Sequence, residues 1–134
     1  MKQLTVLIIS LFLLSLGSCA TTTPKKTESA PAGLSGEWQY SGVIKDCNGD
    51  RTESWIAIIT QTGDVVTLKH EFGTLTGEKE GNEIYFEDFV QGQLTINAAV
   101  NTVNAEGNRI VGKGVEWSYG GCKGVSDVTF ERKN

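Results

Sequence analysis

Leu34-Ser35-Gly36-Glu37-Trp38-Gln39-Tyr40-Ser41-Gly42-Val43-Ile44 is the stretch that decides the fold of this chain. Trp38, Tyr40 and Ile44 lie at even spacing, so an extended backbone puts them on one face and Glu37, Gln39 and Ser41 on the other. The period of two recurs to the end of the chain. Gly, Asn and Asp interrupt it every eight to twelve residues or so, the rhythm of an antiparallel meander. Residues 45–50 form a turn around the hairpin dipeptide Asn48-Gly49. Further strands are predicted over 52–61, 65–72, 74–79, 83–90, 93–103, 109–117 and 125–132. Ile84 and Phe86 share a face, as do Leu94, Ile96, Ala98 and Val100. No segment carries a 3.6-residue period, so helix content is expected to be low. A flat meander of this length would expose two edges, and closure removes both. The expected fold is all-β: an antiparallel up-and-down meander of about eight short strands closed into a small barrel over residues 34–134.

Ahead of the domain, Ala20 to Gly33 has no large apolar side chain and contains both prolines, Pro24 and Pro31. Such a stretch cannot bury enough surface to offset its ordering entropy, and it reads as a flexible stalk. Further upstream, Lys2 precedes an almost unbroken apolar run from Leu4 to Leu16, closed by Leu16-Gly17-Ser18-Cys19. That is the layout of a secretory signal peptide over residues 1–18. The run is shorter than the ~20 apolar residues a spanning helix requires. A leucine three residues before the cysteine, followed by two small residues, resembles the lipobox of bacterial lipoproteins. The resemblance implies cleavage before Cys19, acylation of Cys19 and a lipidated stalk over 19–33. It also implies a cell-envelope location. Ala20, where an aspartate would suggest inner-membrane retention, points to the outer membrane, facing the periplasm or the cell surface.

The chain carries a net charge of −4, and loss of Lys2 with the leader makes the mature form more acidic. No basic stripe exists, which disfavours nucleic acid. Lys25-Lys26 is too small a cluster to hold anionic lipid strongly. With Cys19 assigned to lipid, Cys47 and Cys122 remain as an even pair in an exported, oxidising setting. Nothing near them resembles a CxxC pair or supplies histidine ligands. A structural disulfide closing a loop of about 75 residues is expected. In a closed barrel, strand 34–44 lies beside strand 125–132, and the loops carrying the two cysteines meet at one end.

The Gly36-Glu37-Trp38 sequence on the first strand resembles the Gly-x-Trp of lipocalins and the wider calycin group. In that family the tryptophan packs at the closed end of the barrel under a basic residue of the last strand. Arg132, on the face of Val128 and Phe130, matches that role. The resemblance covers residues 33–134, but its specific residues are only Gly36, Trp38 and Arg132. The domain is shorter than a typical lipocalin and shows no helix after the barrel.

Candidate chemistry is sparse. His70 is the one histidine and has no nearby nucleophile or second ligand, so it reads as an ordinary side chain. No Gly-x-Ser-x-Gly, His-x-x-x-His or recognisable carboxylate pair occurs, and no enzymatic activity, metal or other cofactor is expected. Asp46-Cys47-Asn48-Gly49-Asp50 begins like a calcium loop, but Arg51 and Ala57 stand where glycine and glutamate belong, and turn chemistry explains it. Glycines crowd the last quarter of the chain, where they mark bulges that help a sheet close. The aromatic residues are the stronger material. Trp38, Phe86 and Phe130 favour a filled interior over a hollow one. A pocket would be bounded by Ile58, Leu68, Phe86 and Ile96, near the end opposite Trp38.

The expected function is a lipid-anchored, non-enzymatic envelope protein holding a small apolar ligand. The rival is a protein-binding lipoprotein. Small lipoprotein barrels with one disulfide also include bacterial inhibitors of lysozymes and metalloproteases, although the Ser-Gly-x-x-Tyr loop of the former is absent.

Overall fold

A computed structural model describes residues 33–134. Cys19, the leader and almost all of the stalk lie outside the described residues. The described chain forms ten strands: β1 (Gly36–Asp46), β2 (Gly49–Thr62), β3 (Val65–His70), β4 (Gly73–Glu80), β5 (Glu83–Phe86), β6 (Phe89–Gln91), β7 (Leu94–Ile96), β8 (Ala99–Val103), β9 (Arg109–Tyr119) and β10 (Cys122–Arg132). Eight of them close a ring in the order β1-β2-β3-β4-β5-β8-β9-β10, and every pairing is antiparallel. The β1–β10 pairing sets Trp38 opposite Arg132 and Asp46 opposite Gly124. Closure leaves the ring with no free edge.

The barrel ends differ. Leu34, Trp38, Ile59, Val66, Ile84 and Ile110 are fully buried and plug the end where β1 begins. At the opposite end the strands are uneven. β1, β2, β9 and β10 run 11, 14, 11 and 11 residues, whereas β5 and β8 run only 4 and 5. The short hairpin β6–β7 rises above this low side, with β7 pairing Leu94 to Tyr119 on the upper part of β9.

That hairpin corrects two expectations. The run 83–90 breaks at Glu87-Asp88, and the run 93–103 breaks at Asn97-Ala98. The second break is held by Asn97 N–H donating to Glu116 O (2.9 Å) and Ala98 N–H donating to Asp88 Oδ1 (2.6 Å). It changes the parity of the strand, because an irregular residue exchanges the two faces of everything after it. Val100, expected to share a face with Leu94 and Ile96, is 47% exposed, while Asn101 and Val103 are buried. A bulge does the same on β9. Gly114 has φ +63°, a left-handed conformation that glycine adopts without strain. The β9–β10 register shifts there, and the Gly114 N–H donates to Asp127 Oδ1 at 3.0 Å.

Ile58 is also corrected. It is 40% exposed and paired with Glu37 and Lys69 on the outer surface, whereas Ala57 and Ile59 point inward. β2 is apolar on both faces, so its own sequence leaves the choice open. The β1 pairing sets it by placing small Ala57 opposite the large Trp38 indole.

Candidate functional site: an aromatic cavity

Around Trp38 the polypeptide seals the lower end. The indole is fully buried, and its Nε1–H donates to Leu34 O at 2.9 Å. Arg132 lies over the ring with Cζ 4.8 Å from the centroid, a cation–π contact, and donates to Gly33 O (2.6 Å) and Ser35 O (3.3 Å). The Leu34 amide donates to Gln61 Oε1 (2.9 Å), holding that residue as the plug. The expected Trp38–Arg132 pair is thus brought together.

Above the plug the interior is hollow. A cavity of about 650 Å³ opens at the end opposite Trp38, within the ~300–1,000 Å³ span of small-molecule sites. The filled interior favoured by the sequence is therefore confined to the lower half. Phe86, Phe130 and Leu68 form part of the cavity wall, as does Ile96 from the added hairpin. Ile58 does not reach it.

One side of the wall is a belt of rings. Phe130 meets Tyr40 edge-on at 5.3 Å, Tyr40 stacks on Trp55 at 4.1 Å, and Trp55 lies 5.4 Å from His70. Phe72 and Phe89 flank His70 at 5.5 and 5.8 Å, the latter from β6. The belt exists because Tyr40, Trp55, Leu68 and His70 occupy inward positions on the neighbouring strands β1, β2 and β3.

The polar groups set into this wall are neutral. His70 Nδ1 accepts the Phe72 N–H at 3.0 Å, so the ring proton resides on Nε2. Burial pushes the imidazole pKa down, which keeps it uncharged near neutral pH. Burial, reinforced by the nearby Glu53 carboxylate, pushes the Tyr40 phenol up to about 12. Asn101 is 4% exposed and lies flat over β9, where a Cβ on Gly112 would collide with its Oδ1. Two buried polar atoms find no partner among the described residues, His70 Nε2 and Asn101 Oδ1, and both residues line the cavity.

Charges gather at the mouth. Arg51 pairs with Asp46 and Glu53 and lies 6.0 Å from the Trp117 ring. The guanidinium beside Asp46 holds that carboxyl below its usual range, helped by the Asn48 amide donating to Oδ1 at 2.8 Å. The Asp46–Asp50 stretch is therefore a hairpin turn whose first carboxylate is engaged by protein groups. Cys47 and Cys122 are joined there, with Cα atoms 5.8 Å apart, tying the β1–β2 turn to the first residue of β10.

Leu68, Phe86 and Ile96 were legible in the sequence as wall residues; Tyr40, Trp55, His70 and Asn101 were not assigned to it. For His70 a signal existed, since it continues the Val66–Leu68 alternation. For Asn101 none did, because its inward position depends on the break at Asn97-Ala98. No family profile and no curated protein matches the chain.

Proposed function

We propose that the protein is a lipid-anchored cell-envelope binding module whose lipocalin-like barrel holds one small apolar molecule. The observation that carries the binding half is the open cavity of about 650 Å³ with its aromatic belt. Displacing water from such walls favours apolar occupants, and the few fixed polar groups orient them. The anchor half rests on Leu16-Gly17-Ser18-Cys19. Acyl chains on Cys19 hold the module at a membrane, in our reading the outer one, with residues 19–33 as the tether.

Trp55 and Trp117 both line the cavity, so binding is readable in their fluorescence. Titration with a neutral naphthalene derivative should shift the emission and saturate at about one per chain. Ala99→Trp and Ile96→Trp, which build rings into the space, should abolish the shift while leaving a cooperative melt. Saturable shifts that survive both substitutions would be surface adhesion and would end the pocket reading.

Processing gives a separate test. Cys19→Ser should leave protein that is unprocessed or released from membranes. Membrane partitioning and a mature mass unchanged from the parent, apart from the substitution itself, would refute lipidation at this residue.

A second reading has one supporting observation. Phe72, Val90 and Tyr119 are 49, 69 and 59% exposed, in the β3–β4 turn, on β6 and at the end of β9 respectively, all toward the open end. Exposed apolar tips of this kind suit a protein partner, as in an inhibitor of lysozymes or proteases. Failure of every apolar compound to bind would favour it.

A further inference from the structure

Resting on the pocket reading, we propose that the occupant is a cationic amphiphile. Its apolar, ring-bearing body lies in the cavity, and a protonated amine stays at the mouth, held by Glu53, Glu71 and the Tyr40 hydroxyl.

The charge of the head follows from the mouth. The charged residues lining the opening are Asp46, Arg51, Glu53 and Glu71: three carboxylates and one guanidinium. Asp46 is already engaged, because its side chain is closed off from solvent and receives both the guanidinium and the Asn48 amide. Arg51 also donates from Nε to Glu53 Oε1 at 3.2 Å, so it is not free to meet an anion. Glu53 nevertheless keeps 40% of its side chain exposed. Glu71 is exposed and has no ion pair among the described residues. His70, kept neutral by burial, adds no cation. The entrance therefore carries an excess of negative charge that a fatty or aromatic acid would have to cross and that an amine would neutralise.

Exposed carboxylates are common on proteins, and a second feature makes these part of a site. Tyr40 is 8% exposed and lines the cavity, yet its hydroxyl makes no hydrogen bond among the described residues. His70 Nε2 and Asn101 Oδ1 are sealed within the wall, whereas the Tyr40 oxygen keeps accessible surface. Its position has a local cause. Gly42 stands opposite Glu53 in the β1–β2 pairing, and a Cβ on Gly42 would collide with the Tyr40 oxygen. The hydroxyl thus reaches the strand position of Glu53, whose carboxylate adds to the upward push on the phenol. An unpartnered polar atom in so buried a residue calls for a reason. A protonated amine supplies one, since its N–H groups can donate to the phenol oxygen and to the carboxylate together.

The rings complete the head site. Trp55 follows Glu53 by two residues on the same inward face, with Tyr40 stacked on it at 4.1 Å, and Phe72 directly follows Glu71. Ring faces attract a cation within ~6 Å of the centroid and give an anion no such gain. Deeper in, Leu68, Phe86 and Phe130 offer the body an apolar wall.

Naphthylmethylammonium, naphthoate and ethylnaphthalene share one body and differ in charge. In calorimetric titration near neutral pH and at low salt, the amine should bind about 10- to 100-fold tighter than naphthoate. Salt at about 1 M, where the Debye length is ~3 Å, should narrow that gap without weakening ethylnaphthalene. Glu53→Gln and Glu71→Gln keep the side-chain size and remove a charge. Each should weaken the amine about three- to fivefold, and the pair together should erase most of its preference over naphthoate while ethylnaphthalene binds as before. Tyr40→Phe should weaken the amine more than ethylnaphthalene.

Naphthoate binding as tightly as the amine, or an amine affinity indifferent to the paired glutamine substitutions, would overturn the proposal. The pocket reading would survive that result if ethylnaphthalene binds and Ala99→Trp blocks it. Binding of none of the three would remove the pocket reading together with this one. The wild-type comparison requires no variant, so a Tyr40→Phe protein that fails to fold leaves the test intact.

Discussion

Trp38→Ala is expected to lower the unfolding free energy by about 3–5 kcal/mol, measured from the denaturant midpoint at unchanged slope. The indole is fully buried at the plugged end, and its neighbours Leu34, Ile59, Val66, Ile84 and Ile110 are themselves fixed on four strands and the chain entering β1. Strands held in a closed ring cannot collapse into the space the indole leaves, so the cavity persists and the larger part of that range applies. Arg132→Ala should cost less, on the order of 1–2 kcal/mol, because the guanidinium covers one ring face rather than filling the core. The double-mutant cycle is the sharper measurement. The cation–π contact at 4.8 Å should appear as a coupling of at least about 0.5 kcal/mol. Strictly additive losses would mean that Arg132 sits over Trp38 without stabilising it.

The paired change Cys47→Ser with Cys122→Ser should cost a similar amount, about 4 kcal/mol on the chain-entropy view, because the bond spans 75 residues and constrains most of the unfolded domain. For a domain of this size that is a large share of the net stability. The parent protein should have an intact mass two hydrogens below its reduced form, with one crosslinked peptide pair. Since the bond ties the β1–β2 turn to the start of β10 at the cavity mouth, its loss should also speed hydrogen exchange at the rim more than at the plug. A stability change below about 1 kcal/mol would show that the ring closed by β1–β10 pairing restrains the chain without the crosslink.

Much of the architecture was legible because period-two alternation is a property of a single strand. The first strand announced its inward face through Trp38, Tyr40 and Ile44, and all three are buried. The last did so through Val128 and Phe130, both buried as well. The partner of Trp38 was implied by the resemblance of Gly36-Glu37-Trp38 to the lipocalin motif, and Arg132 suited that role because it continues the alternation of Val128 and Phe130. The disulfide was legible from the even pair Cys47 and Cys122, and closing the ring brings their two loops to one end.

What the sequence could not decide was parity wherever alternation is ambiguous or interrupted. β2 reads Trp55-Ile56-Ala57-Ile58-Ile59, apolar on both faces, and only pairing with β1 turned Ala57 inward and Ile58 outward. The breaks at Glu87-Asp88 and Asn97-Ala98, and the bulge at Gly114, each depend on hydrogen bonds to residues distant in sequence, such as Asp88 with Ala98 and Asp127 with Gly114. The sequence by itself therefore determined an all-β closed barrel, from local periodicity and ring closure, and its crosslink, from the even pair Cys47 and Cys122, while the plugged end at Trp38 was implied by the family resemblance. Tertiary structure alone decided that the upper half is hollow and that His70 and Asn101 are among the residues lining it, because cavity volume and lining depend on how separate strands are set against one another.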